Sequence, residues 1–162
     1  MSSPALHWRE TLEGLAWTLE RPEETRALYI SLDAQLTVAS LRSPTGPVVV
    51  PFQGSLHASG IAEGASLTGR LVARPPARLV YDAVFATDTR PSCRLAGEKH
   101  LFWLAPRATL TELQVSLYDE ANREFARGLV RSTFATDPRH LLRTLRLTDV
   151  PGLALVRSLL LQ

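Results

Sequence analysis

The chain has 162 residues, of which 45% are hydrophobic and 21% are charged, and its formal net charge is +2. This balance is ordinary for a folded protein and excludes a disordered chain, a collagen and a long coiled coil. The length predicts one domain that can bury a core without a metal or a disulfide to support it.

Alternation of apolar and polar residues predicts β-strands through most of the chain. The clearest run is 28–38, where every second residue is apolar. The predicted strands are 11–19, 28–38, 48–52, 55–60, 67–73, 79–85, 93–103, 111–117 and a last one containing Val130 and Phe134. Turn signals separate them, including Pro75–Pro76 and a hairpin loop at 119–122. Eight to nine such strands predict a mainly β protein, either a single antiparallel, lipocalin-like barrel or an open sandwich, because strand count alone does not show closure.

The C-terminal quarter changes from strand spacing to helical spacing. Asp137 and Pro138 resemble the start of a helix, and the leucines and arginines at 139–146 then recur at helical intervals. We expect a domain over 1–146 followed by a C-terminal helical tail over 147–162. The run 153–161 is too short to span a bilayer and too apolar to lie bare in water. It is expected to pack on the domain, to bind a partner enzyme or to form a homodimer.

Charge and targeting features predict a cytoplasmic protein with no nucleic-acid partner and no transmembrane segment. Seventeen of the 18 basic residues are arginine, scattered and without interleaved aromatics, which suits solvated outer faces of strands better than a nucleic-acid surface. The first residues, MSSPALHWRE, show no secretory signal. The single cysteine, Cys93, excludes an intrachain disulfide and is expected to be a small buried residue rather than a nucleophile.

Motifs for cofactors, metals and catalytic nucleophiles are missing from the sequence. It contains no Gly-x-Gly-x-x-Gly, no phosphate-binding loop, no His-Glu-x-x-His and no Gly-x-Ser-x-Gly. The four histidines are far apart along the chain. We therefore expect no cofactor and no metal.

Lys99 is the residue most indicative of function, because the alternation places it on an apolar face with Leu95, Leu101 and Trp103. A lysine there must be paired, reach an end of the strand or lose its proton. Pairing with a carboxylate such as Glu10, Asp82 or Glu112 is one interpretation. A second is that Lys99 holds the polar end of a ligand, and a third is catalysis as a base or amine.

Aromatic residues could line a ligand cavity around Lys99 or fill the core of a closed barrel, and both interpretations stay open. Tyr81 and Phe85 share one face of a predicted strand, and Trp8, Trp17, Trp103 and Tyr118 are further aromatic candidates. The candidate ligand-binding residues are Glu10, Tyr81, Phe85, Lys99, Trp103 and Tyr118.

Several short motifs, taken in order, resemble a β-rich accessory module of bacterial glucose–methanol–choline (GMC) oxidoreductases, notably cholesterol-oxidase-like flavoenzymes. The module's opening aromatic-x-Glu-x-Met-x-Gly is similar to 8–14, with Leu12 in place of Met. Its later motifs resemble Leu67-Thr68-Gly69, Tyr81 to Phe85, Leu95-Ala96-Gly97-Glu98-Lys99, Thr111 with Leu113, Gly128, and the closing 141–146. The chain has no flavin-binding glycine fingerprint, so the resemblance implies a non-catalytic module that serves enzymes acting on apolar substrates.

The sequence thus favours a stand-alone barrel that binds a hydrophobic small molecule, lipid-, sterol- or polyketide-like, or a partner enzyme. The alternative is a small cofactor-free barrel enzyme, such as an isomerase or cyclase, that uses Lys99, Tyr81 or Glu10 on an apolar substrate. A purely structural role, with a homodimer formed by the tail, is a third possibility.

Overall fold

The structure, a computed structural model, describes residues 5–37, 47–74, 78–100, 112–132 and 146–148. Within these ranges it contains nine strands and no helix. The strands are β1 (Ala5–Thr18), β2 (Arg26–Thr37), β3 (Val48–Ala58), β4 (Ala62–Arg74), β5 (Arg78–Phe85), β6 (Cys93–His100), β7 (Glu112–Tyr118), β8 (Glu124–Ser132) and β9 (Arg146–Thr148).

The first eight strands form a closed antiparallel β-barrel. Each strand pairs with the next along the chain, and β1 pairs on one side with β2 and on the other with β8. The short β9 pairs with Ala5 to His7 of β1, beyond the part of β1 that β8 covers. The expectation of a barrel or a sandwich is therefore resolved in favour of a barrel.

Within the described residues the predicted strands are present, with some changes of extent, whereas 101–103, Phe134 and the predicted turn at Pro75–Pro76 lie outside these residues. β2 is a single strand with buried residues at every second position, as the alternation predicts. The separate strands predicted at 48–52 and 55–60 are one continuous strand, β3, because Gln53 and Gly54 stay in register with β2. The predicted hairpin loop at 119–122 is also present, closed by the Asn122 N–H that donates to the Asp119 carbonyl.

The C-terminal predictions are corrected at one place and lie outside the described residues elsewhere. Arg146, expected at the end of a helix, instead begins β9, which pairs with β1. The expected boundary between domain and tail at 146–147 stays a prediction. A strand of three residues is too short for alternation to reveal it. The expected helix over 137–145 and the apolar run 153–161 lie outside the described residues.

The core occupies the inside of the barrel and consists of the inward residues of all eight strands. Fully buried members include Leu12, Leu28, Ile30, Leu56, Leu67, Leu113, Leu117 and Val130. The outer face carries arginines that pair with carboxylates, for example Arg9 with Asp33, Arg78 with Glu98 and Arg127 with Glu124. This agrees with the expectation that the arginines lie on the outer faces of strands.

Glycines at inward positions let neighbouring strands approach closely where the sheet curls. A Cβ on Gly14 would lie 2.0 Å from the Leu129 carbonyl oxygen, and one on Gly54 would lie 1.9 Å from the Ser31 carbonyl oxygen. Gly69 is similar, because its Cβ would meet the Asp82 carbonyl oxygen at 2.3 Å. Glycine inside a strand marks such bends and close approaches. These positions therefore favour closure of the barrel.

The two ends of the barrel differ. At one end, which we call the turn end, the strands are joined by the described segments 19–25, 59–61, 86–92 and 119–123. At the other end, which we call the mouth end, they are joined by 38–47, 75–77, 101–111 and 133–145.

Replacing Gly14 by alanine tests whether close backbone approach closes the sheet. We expect Gly14→Ala to lower the free energy of unfolding by about 1–3 kcal/mol or more, because the three atoms nearest to the new methyl group belong to the backbone, which cannot easily move aside. Gly64→Asn is the control: Gly64 has φ of 65° with nothing within 4 Å of a Cβ, and asparagine tolerates that conformation. It should change the value by less than about 1 kcal/mol in urea denaturation. Equal effects would contradict this account of closure.

The Glu124–Arg127 pair predicts a loss of stability in acid. Two hydrogen bonds, the larger effect from Arg127 and the smaller from Ser116, lower the pKa of Glu124 from 4.5 to about 2. Between these values the unfolded chain binds a proton that the folded chain does not, so stability falls as the pH drops from 4.5 to 2. We expect Glu124→Gln to be less stable than wild type at neutral pH and to lose less in this window, as measured by urea denaturation at several pH values. Arg127→Gln should flatten the profile similarly, and an unchanged slope in both variants would contradict the assignment.

Candidate functional site

Three side chains of different chemistry meet inside the barrel, and we call them the interior cluster: Glu10, Tyr81 and Lys99. The Lys99 Nζ lies 3.1 Å from Glu10 Oε1 in a salt bridge. The Tyr81 hydroxyl donates to Glu10 Oε2 at 3.4 Å. Lys99 is 3% exposed and Glu10 6%, so this ion pair is almost completely withdrawn from water.

The barrel topology brings these residues together although they lie far apart in sequence. Tyr81 and Lys99 occupy inward positions on the adjacent strands β5 and β6, where Leu79 pairs with Lys99 and Tyr81 with Gly97. Glu10 lies on β1, which is four strands from β5 in either direction around the barrel. The contacts of Glu10 therefore cross the interior and link opposite walls.

The interior cluster lies toward the mouth end. Lys99 is one residue from the end of β6, Tyr81 lies in the first half of β5, and Glu10 lies beyond the part of β1 that β8 covers. Ser132, the last residue of β8, is another buried polar side chain near this end. Among the described residues, buried polar and charged side chains are thus found toward the mouth, whereas Phe85 and Cys93 are buried near the turn end.

Electrostatics keep the phenol of Tyr81 neutral. Burial raises the pKa of Tyr81 well above its usual value of 10, and the nearby negative charge of Glu10 and the hydrogen bond to it act in the same direction. The Lys99 ammonium lies 5.3 Å from the centroid of the Tyr81 ring, within the range of a cation–π contact. The cluster therefore holds one anion, one cation and one neutral hydroxyl donor.

A buried ion pair is a weak source of stability, because desolvation of both charges offsets their attraction. Two well-packed apolar side chains in place of this pair would stabilise the barrel core at least as much. Charged and titratable groups placed in an apolar interior are for that reason candidates for function. We consider the interior cluster the candidate functional site.

The other candidate ligand-binding residues lie elsewhere. Phe85 is buried but lies four residues along β5 from Tyr81, about 13 Å toward the turn end. Tyr118 follows the inward Leu117 on β7 and lies on the outside, where the Arg94 guanidinium is 6.0 Å from its ring centroid. The structure therefore does not bring Tyr118 into the interior. Trp103 and the side chain of Trp8 lie outside the described part of the chain.

The salt bridge of Lys99 identifies which of the three expected carboxylates is its partner. Asp82 is paired with Arg94 on the outer face, and Glu112 is paired with Arg131. Glu10 remains, and it is the partner in the structure. Ser132 was missed by the sequence analysis, although it shares the inward alternation of Val130.

Cys93 is a small buried residue, as expected. The residue is 2% exposed, and its sulfur lies 4.0 Å from the Arg90 carbonyl oxygen. Burial raises the pKa of Cys93, which outweighs the opposite effect of Arg90. The described residues hold no group of three His, Cys, Asp or Glu side chains placed to bind a metal. In the same residues, no helix has the length and apolar character needed to cross a membrane.

Comparisons of the chain with protein-family models, with curated proteins and with solved structures find no match. The resemblance to the GMC accessory module therefore stays a prediction from short motifs.

A double-mutant cycle tests whether the interior pair is buried and charged. We expect Lys99→Met alone to lower the free energy of unfolding by about 3–5 kcal/mol, because it leaves the Glu10 carboxylate without a counter-charge. Adding Glu10→Gln should recover most of this loss, since glutamine removes the charge and still accepts from Tyr81. Urea denaturation of the four proteins gives the coupling energy.

The control for this cycle is the surface pair Arg9–Asp33, which joins β1 to β2 one residue along the chain from Glu10 and has side chains 64% and 56% exposed. Asp33→Asn should cost less than about 1 kcal/mol. A similar cost for Lys99→Met would show that the interior pair is hydrated.

Proposed function

We propose that the protein is a non-catalytic barrel that binds a small apolar molecule, lipid-, sterol- or polyketide-like. The apolar part of the ligand contacts inward side chains of the barrel, and its polar end hydrogen-bonds to the interior cluster. One observation carries this proposal: Glu10, Lys99 and Tyr81 meet inside an interior whose other described side chains, Ser132 apart, are apolar. Small-molecule sites have this composition, mostly apolar with a few convergent polar groups.

The position of the cluster supports entry from the mouth end. Partly buried apolar residues, among them Leu36, Val48, Leu71 and Leu79, pack against the core near this end. A ligand that enters there meets an apolar rim first and the interior cluster next. An eight-stranded barrel is wide enough to hold one small ligand. The resemblance to a module that serves enzymes acting on apolar substrates favours the same class of ligand. For the same reason, we include in the proposal that the run 153–161 binds a partner enzyme.

A second candidate function, a cofactor-free isomerase or cyclase, is favoured by the same cluster. Glu10 and Tyr81 are an acceptor and a donor of protons in hydrogen-bond contact, and Lys99 is a cation beside both. Such groups can move a proton on an apolar substrate held between them. The two functions differ in whether the bound molecule leaves the barrel chemically changed.

Native mass spectrometry of protein purified without detergent tests the proposed binding. We expect a stoichiometric apolar adduct on the wild type, or one-to-one binding of an added neutral fluorescent probe, phenylnaphthylamine. Glu10→Gln/Lys99→Met should weaken this binding by about tenfold, because the polar end of the ligand loses its charged hydrogen-bond partners. Asp33→Asn, which changes a carboxylate on the outer face, should bind like the wild type.

Solvent extraction of the adduct, followed by incubation of the purified molecule with fresh protein, separates the two functions. Recovery of the same molecule supports binding alone. A changed product that disappears in Glu10→Gln/Lys99→Met supports the enzyme. The absence of both an adduct and probe binding would show that side chains fill the interior, and it would overturn the proposal.

A further inference from the structure

The charge balance of the interior cluster limits what kind of polar group it accepts. In the part of the chain that the structure describes, the buried polar or charged side chains are Glu10, Lys99 and Ser132. Glu10 and Lys99 are opposite charges 3.1 Å apart, and Tyr81 adds a neutral hydroxyl. The described interior is thus electrically neutral before any ligand binds.

A ligand carboxylate would disturb this balance. It would place a second anion beside Glu10 with a single ammonium to compensate both. Placing a net charge in an apolar interior is strongly unfavourable, so the site would have to take up a proton or expel the acid. A protonated ligand amine would likewise place a second cation beside Lys99, with only the Glu10 carboxylate to compensate both charges.

A neutral hydroxyl or carbonyl meets neither difficulty. The Lys99 ammonium carries further N–H groups beyond the one directed at Glu10, and the Glu10 carboxylate has lone pairs beyond the two that Lys99 and Tyr81 use. A hydroxyl can accept a hydrogen bond from Lys99 and donate one to Glu10. Both bonds are assisted by charge, and the net charge of the interior does not change.

We infer that the ligand is an apolar molecule whose polar end is uncharged, a hydroxyl or a carbonyl, and not a fatty acid or an amine. This inference rests on the proposed function and adds the class of ligand. Glu10 is then a specificity-determining residue: with Lys99 already paired to it, the site rejects a second anion.

Displacement of phenylnaphthylamine by decanol and by decanoate tests this inference, because the two ligands share a chain length and differ in the charge of the polar end. We expect the wild type to bind decanol more tightly at neutral pH. In Glu10→Gln the Lys99 ammonium has no counter-charge, so decanoate affinity should rise. The ratio of the two affinities should shift by at least about tenfold toward decanoate. The ratio between proteins is the readout, since decanol is the more apolar ligand in any case.

Glu13→Gln is the matched control, because Glu13 is on the same strand and exposed on its outer face. It should leave the ratio unchanged. If Glu10→Gln does not fold without ligand, Lys99→Met provides the second test: the unpaired Glu10 should then favour decylamine over decanol relative to the wild type. An affinity ratio that does not move in either variant overturns the inference, and so does a wild type that prefers decanoate. Failure of every ligand and of the probe to bind overturns the proposed function itself.

Discussion

The structure depends on β1 pairing along both of its edges. β1 is 14 residues long, and it exchanges backbone hydrogen bonds with β2 on one side and with β8 and β9 on the other. This double pairing converts a meander of hairpins into a closed barrel, in which each of the eight strands pairs with a neighbouring strand on both sides. Closure also encloses an interior in which the charges of Glu10 and Lys99 are kept away from water.

The isolation of charge from water explains why each charged group of the interior cluster contacts a partner. A lysine that is 3% exposed inside the barrel needs a counter-charge, and the salt bridge to Glu10 provides it from across the interior. The same carboxylate accepts from Tyr81, so one anion satisfies two donors. On the outer face, arginine–carboxylate pairs such as Arg9–Asp33 are exposed and contribute little to stability. Similar chemistry therefore has different consequences on the two faces of β1.

Much of the fold was predictable from sequence, because alternation is a direct record of which face of a strand is buried. It identified the regions of β2 and β4 to β7 and predicted that Lys99 faces the core. It did not decide closure, although a signal was present in the inward glycines Gly14, Gly54 and Gly69, which mark strands that bend toward each other. β9 was not predicted, because a strand of three residues is too short to show an alternation of apolar and polar residues. The choice among Glu10, Asp82 and Glu112 for Lys99 required tertiary structure, since a contact across the barrel leaves no trace in local spacing.

For a barrel of this kind, affinity and selectivity have different physical origins. Burial of an apolar ligand contributes about 0.8 kcal/mol per methylene group, whatever the polar end is. In the proposed complex the polar end would compete with hydrogen bonds that the cluster already makes, so its net contribution to affinity would be limited to about 1–2 kcal/mol. Its effect appears instead as a penalty against ligands that bring an unmatched charge into the interior. The neutral Glu10–Lys99 pair would thus act as a filter: the apolar wall determines how tightly a molecule is held, and the pair determines which molecules are admitted.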